Sequence, residues 1–477
     1  MRLAPIWGRT EAVLLLMAMA ITLLALLPWS PQGPFDARTY EPLSGTTLSY
    51  PGRGALVEPA ASLGHALAGA PDPRTAAIST ALWALLGGAI WGALEARKRR
   101  RRVVPPAMAR GLLVLLAFLA YAALYLLVPF PGWRLEAAEP DTIVTDLQVH
   151  THHSYDGLYT PRAALALLHA RGVEVAGITE HRNPAGALMV RKAGRADDKL
   201  PAVLPGMELG APEGQVLGLG IRGRDDLPRR LRSYPEVSRF GRDLHRRHGG
   251  VVLALGWLLD PEDVRRLAAA GVDGFEIANL GHPGVPSDTR RAILREARRR
   301  DLALVADSDW HGWTGAWRTW TLIRPESPGA RPLREQVLRA LRAPEPDRVI
   351  PVVAGYLGPP SWARAALAPV CELTRYAGAL SPERVLGWWL WMLLALPAAR
   401  GLRILGHAPG PVLTASGLVA VGLALIGAAG PLALFPAPQA VSPEFHRRVG
   451  GAGIGLGVLA IVAGAAALRR LPRPATR

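Results

Sequence analysis

The chain of 477 residues has a single cysteine, Cys371. No disulfide can close within it and no cysteine-rich zinc site can form, so any metal has to be held by His, Asp and Glu. Charge is scarce as well. Only 19% of residues are Asp, Glu, Lys or Arg against 50% hydrophobic, more apolar than a soluble enzyme needs. Acidic residues are the scarcer sign, 38 against 55 Lys and Arg, which fits contact with anionic lipid, nucleic acid or an anionic substrate without choosing among them. Two hydrolytic signatures are also missing: there is no GxSxG elbow and no GxxxxGK[ST] phosphate loop, which removes the serine-triad and P-loop designs.

What the chain has instead is apolar length. Residues 12–28, 76–94 and 111–130 carry no charge and approach what a helix needs to cross a hydrocarbon core of about 30 Å. Residues 385–399, 411–435 and 449–468 repeat the pattern after the middle of the chain. The first of these has only fifteen residues before Arg400, so a buried core helix is its alternative reading, but Trp388, Trp389 and Trp391 cluster at one end like an interfacial belt. Six transmembrane helices are therefore expected, in a membrane region 1–133 and a second one 385–477, with a linker at 351–384. Arg2 and Arg9 precede the first run as in a secretory signal, yet no small-residue cleavage pattern follows, and the segment reads as an uncleaved anchor.

Orientation follows from Lys and Arg in the short loops. One side collects fifteen: Arg2 and Arg9, the seven of EARKRRRRVVPPAMAR, Arg400 and Arg403, and Arg469, Arg470, Arg473 and Arg477. The other holds five, Arg38, Arg53, Arg74, Arg447 and Arg448. The richer side is read as cytoplasmic, which puts the central segment outside the cytoplasm. The basic run is thus a topology signal and nucleic acid is not an expected partner; the bilayer is. GGAGIGLG at 450–457 lies inside an apolar run with no strand before it, so helix packing through Gly451 and Gly455 is expected rather than dinucleotide binding.

The central segment, 134–350, alternates strand-like and helix-like runs. TIVTDLQVH (142–150), VEVAGIT (173–179), AVLPGMEL (202–209), QVLGLGI (215–221), VVLAL (251–255), VDGFEIA (272–278) and LALVADS (302–308) read as strands. PRAALALLHA and PSDTRRAILREARRR read as helices, the latter capped by Ser287 or Asp288. Repeated βα units imply an α/β fold with a parallel sheet or barrel and with chemistry at the C-terminal strand ends. His150, Glu180, His181, Glu208, Asp309 and His311 all fall there. Singly, each is more often a cap or a satisfied polar group; together, oxygen and imidazole donors suit Zn, Mn or Fe.

DLQVHTHHSYDG, ITEH, PGMELG and ADSDWHG occur in the order and near the spacing of the PHP (polymerase and histidinol phosphatase) family, which this segment resembles over about 210 of the 477 residues. TWTLIR after the last motif is similar to the carbamate and ester hydrolase-like branch. The resemblance implies a distorted (β/α)7 barrel, here inserted between two groups of transmembrane helices, and hydrolysis of a small-molecule phosphoester or ester by metal-activated water. It also implies ligands. Gln148, His150, Glu208 and Asp309 match one metal position, and Asp156, His181 and His311 a neighbouring one. A further position that needs two histidines falls on Gln215 and Leu255, so one or two divalent ions are expected rather than three. Gln148 stands where the family has a histidine; in the other register His150 and His152 form the HxH pair, and otherwise His152 and His153 are substrate-contacting or plain loop residues. Glu180 is expected to accept a hydrogen bond from a ligand imidazole, and Arg182, Lys192 and Arg318 are either surface charges or contacts for an anionic leaving group. A catalytically impaired sensor or binding module is the competing reading, motivated by Gln148, Gln215 and Leu255.

Overall fold

The computed structural model describes residues 9–26, 33–98, 102–194, 199–223, 227–280, 284–315, 317–355, 361–405, 409–437 and 439–469. Arg2, Arg99, Arg100, Arg101, Arg470, Arg473 and Arg477, and the side chains of Arg53 and Lys192, lie outside the described residues. In chain order the N-terminal elements are α1 (Arg9–Ala25), β1 (Pro34–Asp36), β2 (Thr46–Ser49), α2 (Glu58–Ala68), α3 (Pro73–Lys98) and α4 (Val104–Leu127). The central segment runs β3 (Arg134–Ala137), β4 (Ile143–Val149), α5 (Pro161–Ala170), β5 (Val175–His181), α6 (Pro184–Gly194), β6 (Ala202–Gly210), β7 (Gln215–Leu219), α7 (Tyr234–Asp243), β8 (Val251–Leu255), α8 (Pro261–Ala270), β9 (Gly274–Asn279), α9 (Ser287–Arg300), β10 (Ala303–Asp307), β11 (Thr319–Ile323), α10 (Leu333–Arg342) and β12 (Val349–Ala354). Helices α11 (Trp362–Ala366), α12 (Ala368–Ala377), α13 (Pro382–Ile404), α14 (Pro409–Leu434) and α15 (Pro443–Arg469) follow.

All seven expected runs form strands, β4 to β10. They belong to one curled ten-stranded sheet, a half-barrel of order β1-β12-β11-β4-β5-β6-β7-β8-β9-β10. The sheet is mixed rather than parallel. Four residues, Ala211 to Gly214, join β6 to β7, too few for a crossover helix, so β7 returns antiparallel to both β6 and β8. β11, β12 and β1 add three further antiparallel strands at one side. The curl brings β10 back to β4: the Asp307 carboxylate accepts from the Leu147 amide (2.8 Å), the Asp146 carboxylate from the Ser308 amide (3.1 Å), and the Trp310 carbonyl from the His150 amide (2.9 Å). Burial pushes Asp146 up to about 6 and Asp307 well above the usual carboxylate range. Trp317 and Trp320, both wholly buried, fill the space beside these strands, and the Trp317 indole donates to Asp146 (2.8 Å).

Helix starts follow their local chemistry. Thr160 caps α5, Ser233 caps α7, and Asp260 with Asp263 forms a capping box on α8. The expected cap of α9 does not form: the helix already begins at Ser287, after extended Pro286, and Asp288 pairs with Arg291 one turn on.

Five helices among the described residues are long and apolar enough to cross a membrane: α3, α4, α13, α14 and α15. α1 forms where the first span was expected, with 17 described residues. α13 is longer than its apolar run because Glu383 and Arg384 enter its first turn, and the helix continues past Arg400 to a last turn that holds Arg403. The glycines of α15 pack differently from expectation. Gly451 and Gly455 face open space, whereas Gly450, Gly453, Gly457 and Gly464 turn toward α14, where a Cβ on Gly457 would stand 2.7 Å from Ile426 and 2.8 Å from the Gly422 carbonyl. Spacings of three, four and seven keep residues on one helix face, and Gly451 and Gly455, one and two positions off that series, rotate away from it.

The long apolar helices meet the sheet unit at particular ends. The α4 terminus offers the Leu126 carbonyl to the Thr314 amide (2.8 Å), and the wholly buried Arg171 donates to Gly132 and Phe130 just beyond it (2.8 and 2.9 Å). Arg384 opens α13 and pairs with Glu58 of α2 at 2.6 Å, both buried. The Trp388, Trp389 and Trp391 indoles donate to Tyr376, Thr22 and the Leu56 carbonyl near this end.

Candidate metal centre

The site is built where β4, β5, β6 and β10 end. His150 follows β4, His181 closes β5, Glu208 lies two residues before the end of β6, and Asp309 and His311 follow β10. Among the described residues, two overlapping sets of three side chains lie close enough to hold an ion: His150, His181 and His311; and His150, Glu208 and Asp309. His150 belongs to both. Its Nε2 stands 3.3 Å from a carboxylate oxygen of Glu208 and 3.3 Å from one of Asp309 yet is aligned for a hydrogen bond with neither. Glu208 reaches both sets, its other oxygen lying 3.3 Å from Nδ1 of His181. Asp156 joins from the loop after β4, its Oδ1 3.3 Å from Nε2 of His181 and 3.6 Å from Nε2 of His311. Those two ring nitrogens face each other at 3.3 Å. Nitrogens converging this way on a carboxylate, with the buried His150 Nε2 and Asp156 Oδ1 lacking hydrogen-bond partners, fit a divalent cation.

Surrounding groups orient the donors. The Asp309 carbonyl accepts from Nδ1 of His311 (2.7 Å), which leaves Nε2 as the donor atom toward the site. Nδ1 of His150 contacts the Ser154 hydroxyl (3.1 Å), which donates to Glu180 (2.6 Å) and accepts from the His181 amide (3.1 Å). Glu180 also accepts from the Thr151 hydroxyl (2.5 Å) and amide (3.1 Å). Its expected direct bond from an imidazole is replaced by this route through Ser154. Asp309 at φ 51° and Arg182 at φ 55° hold left-handed backbone beside the site, a conformation that asparagine and aspartate tolerate better than most residues.

Gln148 is brought to the same place but turns its amide nitrogen toward the carboxylates, donating to Glu208 and Asp309 at 2.9 Å each, while Oε1 is buried without a partner. An oxygen-ligand role needs the amide turned over, which exchanges Oε1 and Nε2. Gln215, set opposite Gly210 by the β6–β7 hairpin, donates to the remaining oxygen of Glu208. Leu255 is buried among aliphatic side chains. His152 joins neither set of donors; it stacks edge-on against His153 at 4.5 Å, so the register pairing His150 with His152 is not assembled. Burial, with His153 and His446 beside it, lowers His152 to about 4. Arg318 does not serve the site, since its guanidinium donates to the carbonyls of Ala354, Ala68 and Ala70. Arg182 is exposed at the end of β5, its amide donating to the Glu208 carbonyl (2.9 Å).

The electrostatics are those of donors held together around positive charge. Burial opposes the charged form of His150, but the Asp309 and Glu208 carboxylates outweigh it and raise the imidazole to about 10. Burial likewise raises Glu208, but His150 and His181 pull it down to about 2. Asp156 is lowered against its burial by His181 and His311. One acid escaped the sequence reading. Glu276 of β9 is buried, accepts twice from the Asn279 amide (3.0 and 3.2 Å), and is pushed well up by burial and by Asp307 and Asp309. A carboxylate in the middle of the apolar run VDGFEIA is the signal that marks it.

No family model matches the chain, and no curated protein does. Solved structures similar to parts of it include the following three. A candidate metal-dependent phosphoesterase from Bifidobacterium adolescentis shares 19% identity over 43% of this chain and 97% of its own, with a TM-score of 0.28. PsfC from Pseudomonas syringae shares 15% over 50% and 99%, with a TM-score of 0.33. An amidohydrolase from Chromobacterium violaceum, solved with sulfate and no metal, shares 18% over 35% and 87%, with a TM-score of 0.26.

Proposed function

We propose that this chain is a membrane-anchored metal-dependent hydrolase of the PHP type whose substrate is a phosphoester, with its site outside the cytoplasm. The observation that carries the reading is the meeting of His150, Asp156, His181, Glu208, Asp309 and His311, drawn from four separated motifs, around one point. His150, Glu208 and Asp309 would hold one Zn, Mn or Fe ion, and His181, His311 and Asp156 a neighbouring one with Glu208 between them. Such ions supply Lewis-acid charge at an ester oxygen and activation of water. The protein's own residues do the rest: Ser154 and the Asp309 carbonyl fix the imidazoles, Gln148 and Gln215 aim the carboxylates, and Tyr155, its ring stacked 4.8 Å from His181, stands over the accessible side. Arrangement of donors in this way before the substrate arrives is what makes their electrostatics effective in catalysis.

A second reading, a binding or sensing module without turnover, is favoured by one specific contact. The Gln148 amide donates to Glu208 and Asp309, a role a cation would otherwise fill. A carboxylic or carbamate ester as substrate is a third. The purified full chain, stripped with EDTA and reloaded, separates them: bound metal of about one to two ions per chain is expected by mass spectrometry. Cleavage of phosphomonoesters or phosphodiesters above carboxylic esters, abolished by His181→Ala and by Asp309→Asn, is expected alongside it. Bound metal without any cleavage supports the sensor; neither metal nor cleavage overturns the hydrolase.

A further inference from the structure

The donors stand within a few residues of the membrane helices. Asp156 precedes Gly157, whose carbonyl accepts from Nε2 of His446 in the first turn of α15 (2.8 Å). Tyr159 donates to the Leu127 carbonyl at the end of α4 (3.3 Å), and the Val441 amide, just before α15, donates to the His152 carbonyl (3.0 Å). On the other side of the site His311 is three residues from Thr314, whose amide bonds α4, and Trp313 meets Phe445 of α15 edge to face at 6.2 Å.

Those contacts set a height above the bilayer. A chain spans at most about 3.6 Å per residue, so His311 lies within roughly 11 Å of Thr314, which is bonded to the α4 terminus, and Asp156 adjoins Gly157, which is bonded to α15. The headgroup layer adds about 5–8 Å to each side of a hydrocarbon core of about 30 Å. α15, with 27 residues, is about 40 Å long at 1.5 Å per residue, so its polar first turns stand clear of the core at the level of the ligand loop. The site opens beside Tyr155, 56% exposed, while Val441 and Phe435 on the α14–α15 connection expose 55% and 80% of their apolar surface. A soluble metabolite would require none of this; a tethered domain on a long linker would serve it equally well.

We propose that the substrate is an amphiphile of the bilayer, a phospholipid whose headgroup phosphoester enters the site while its acyl chains stay in the leaflet. The inference rests on the hydrolase reading above. In the reaction water supplies the oxygen that bonds to phosphorus, the P–O bond to the lipid alcohol breaks, and the alcohol leaves carrying a proton. Phosphatidic acid in nanodiscs of phosphatidylcholine, compared with glycerol phosphate and p-nitrophenyl phosphate in solution, tests it with the full chain. A kcat/KM at least about 100-fold higher for the lipid is expected, with a rate set by its mole fraction in the surface. Equal or better cleavage of the soluble esters overturns the inference and leaves the hydrolase reading standing. Nitroxide labels at Val441→Cys and Phe435→Cys add a readout independent of turnover: collision with membrane-dissolved oxygen is expected at both, and contact with water alone at both overturns the inference. Absence of bound metal together with loss of all cleavage removes the hydrolase reading, and this inference with it.

Discussion

His150 is the imidazole common to both sets of donors, and it carries a consequence for metal loading. Its pKa of about 10 means that the metal-free protein holds a proton there at neutral pH, whereas a ligand imidazole must be neutral. Each ion that takes up His150 therefore displaces about one proton near pH 7.5, and affinity rises about tenfold per pH unit up to roughly pH 9. Titration calorimetry in buffers of different ionisation heat checks this; heats that do not depend on the buffer would contradict it. The same shift fixes a stability profile for the metal-free protein. A folded pKa raised from 6.5 to about 10 contributes stability that is complete below about pH 6.5 and lost as pH rises through about 10, so alkaline melting should begin earlier without metal than with it. Gln148→His tests the neighbouring position: an imidazole in place of the donating amide is expected to raise zinc affinity by tenfold or more, about 1.4 kcal/mol, measured by chelator competition. The gathering of His150, Asp156, His181, Glu208, Asp309 and His311 was legible because the types and order of their motifs are unusual together. The direction in which Gln148 presents its amide, and the relay from Glu180 through Ser154, were not, since both depend on side-chain rotation across strands.

At the scale of elements, the packing of α15 on α14 uses one glycine face and leaves the other free. Gly457→Leu would drive a side chain into Ile426 and the Gly422 carbonyl, and overpacking of this kind costs about 1–3 kcal/mol, whereas Gly455→Leu meets open space. Melting of the two variants in detergent should show a lower midpoint for Gly457→Leu alone; equal midpoints would refute the assigned face. Glycine spacing announces that a helix packs closely but not which side does so, because GGAGIGLG offers several small-residue pairs. The strands were more readable. Runs such as VVLAL and LALVADS declare themselves by apolar β-branched content, while the antiparallel return of β7 hides in a turn whose brevity means something only once Gly210 and Gln215 are known to pair. The buried pair of Glu58 and Arg384 was beyond sequence altogether, joining residues 326 apart. Removing one partner by Glu58→Ala leaves a charge buried and is expected to cost about 3–5 kcal/mol, more than replacing both partners together.

For the whole molecule, the ends by which the apolar helices meet the sheet unit bear on the proposed orientation. α4 meets the sheet unit by its C-terminal end and α15 by its N-terminal end, and α13 joins the α2 segment by its first turn, so in the proposed orientation these three ends would share the side of the sheet unit. Reporter fusions after residues 105 and 340 should accordingly lie on opposite sides of the membrane; a common side refutes the orientation.

β1 gives the sheet unit a history in time. Its Phe35 pairs with Val353, so the last strand of the half-barrel is finished by a segment made hundreds of residues earlier. At about 5–20 residues per second, Pro34–Asp36 waits roughly 15–60 seconds after synthesis for its partner to appear. In the proposed membrane arrangement, α3 and α4 would by then have entered the bilayer and fixed the side on which both strands meet. A three-residue strand is suited to such a wait, being too short to pair stably with a stranger. Residues 134–354 made alone would lack that partner and expose the β12 segment VIPVVA as an open apolar edge, a template for aggregation. In the proposed membrane arrangement, insertion would be a step in the folding of the sheet unit itself as well as its anchorage.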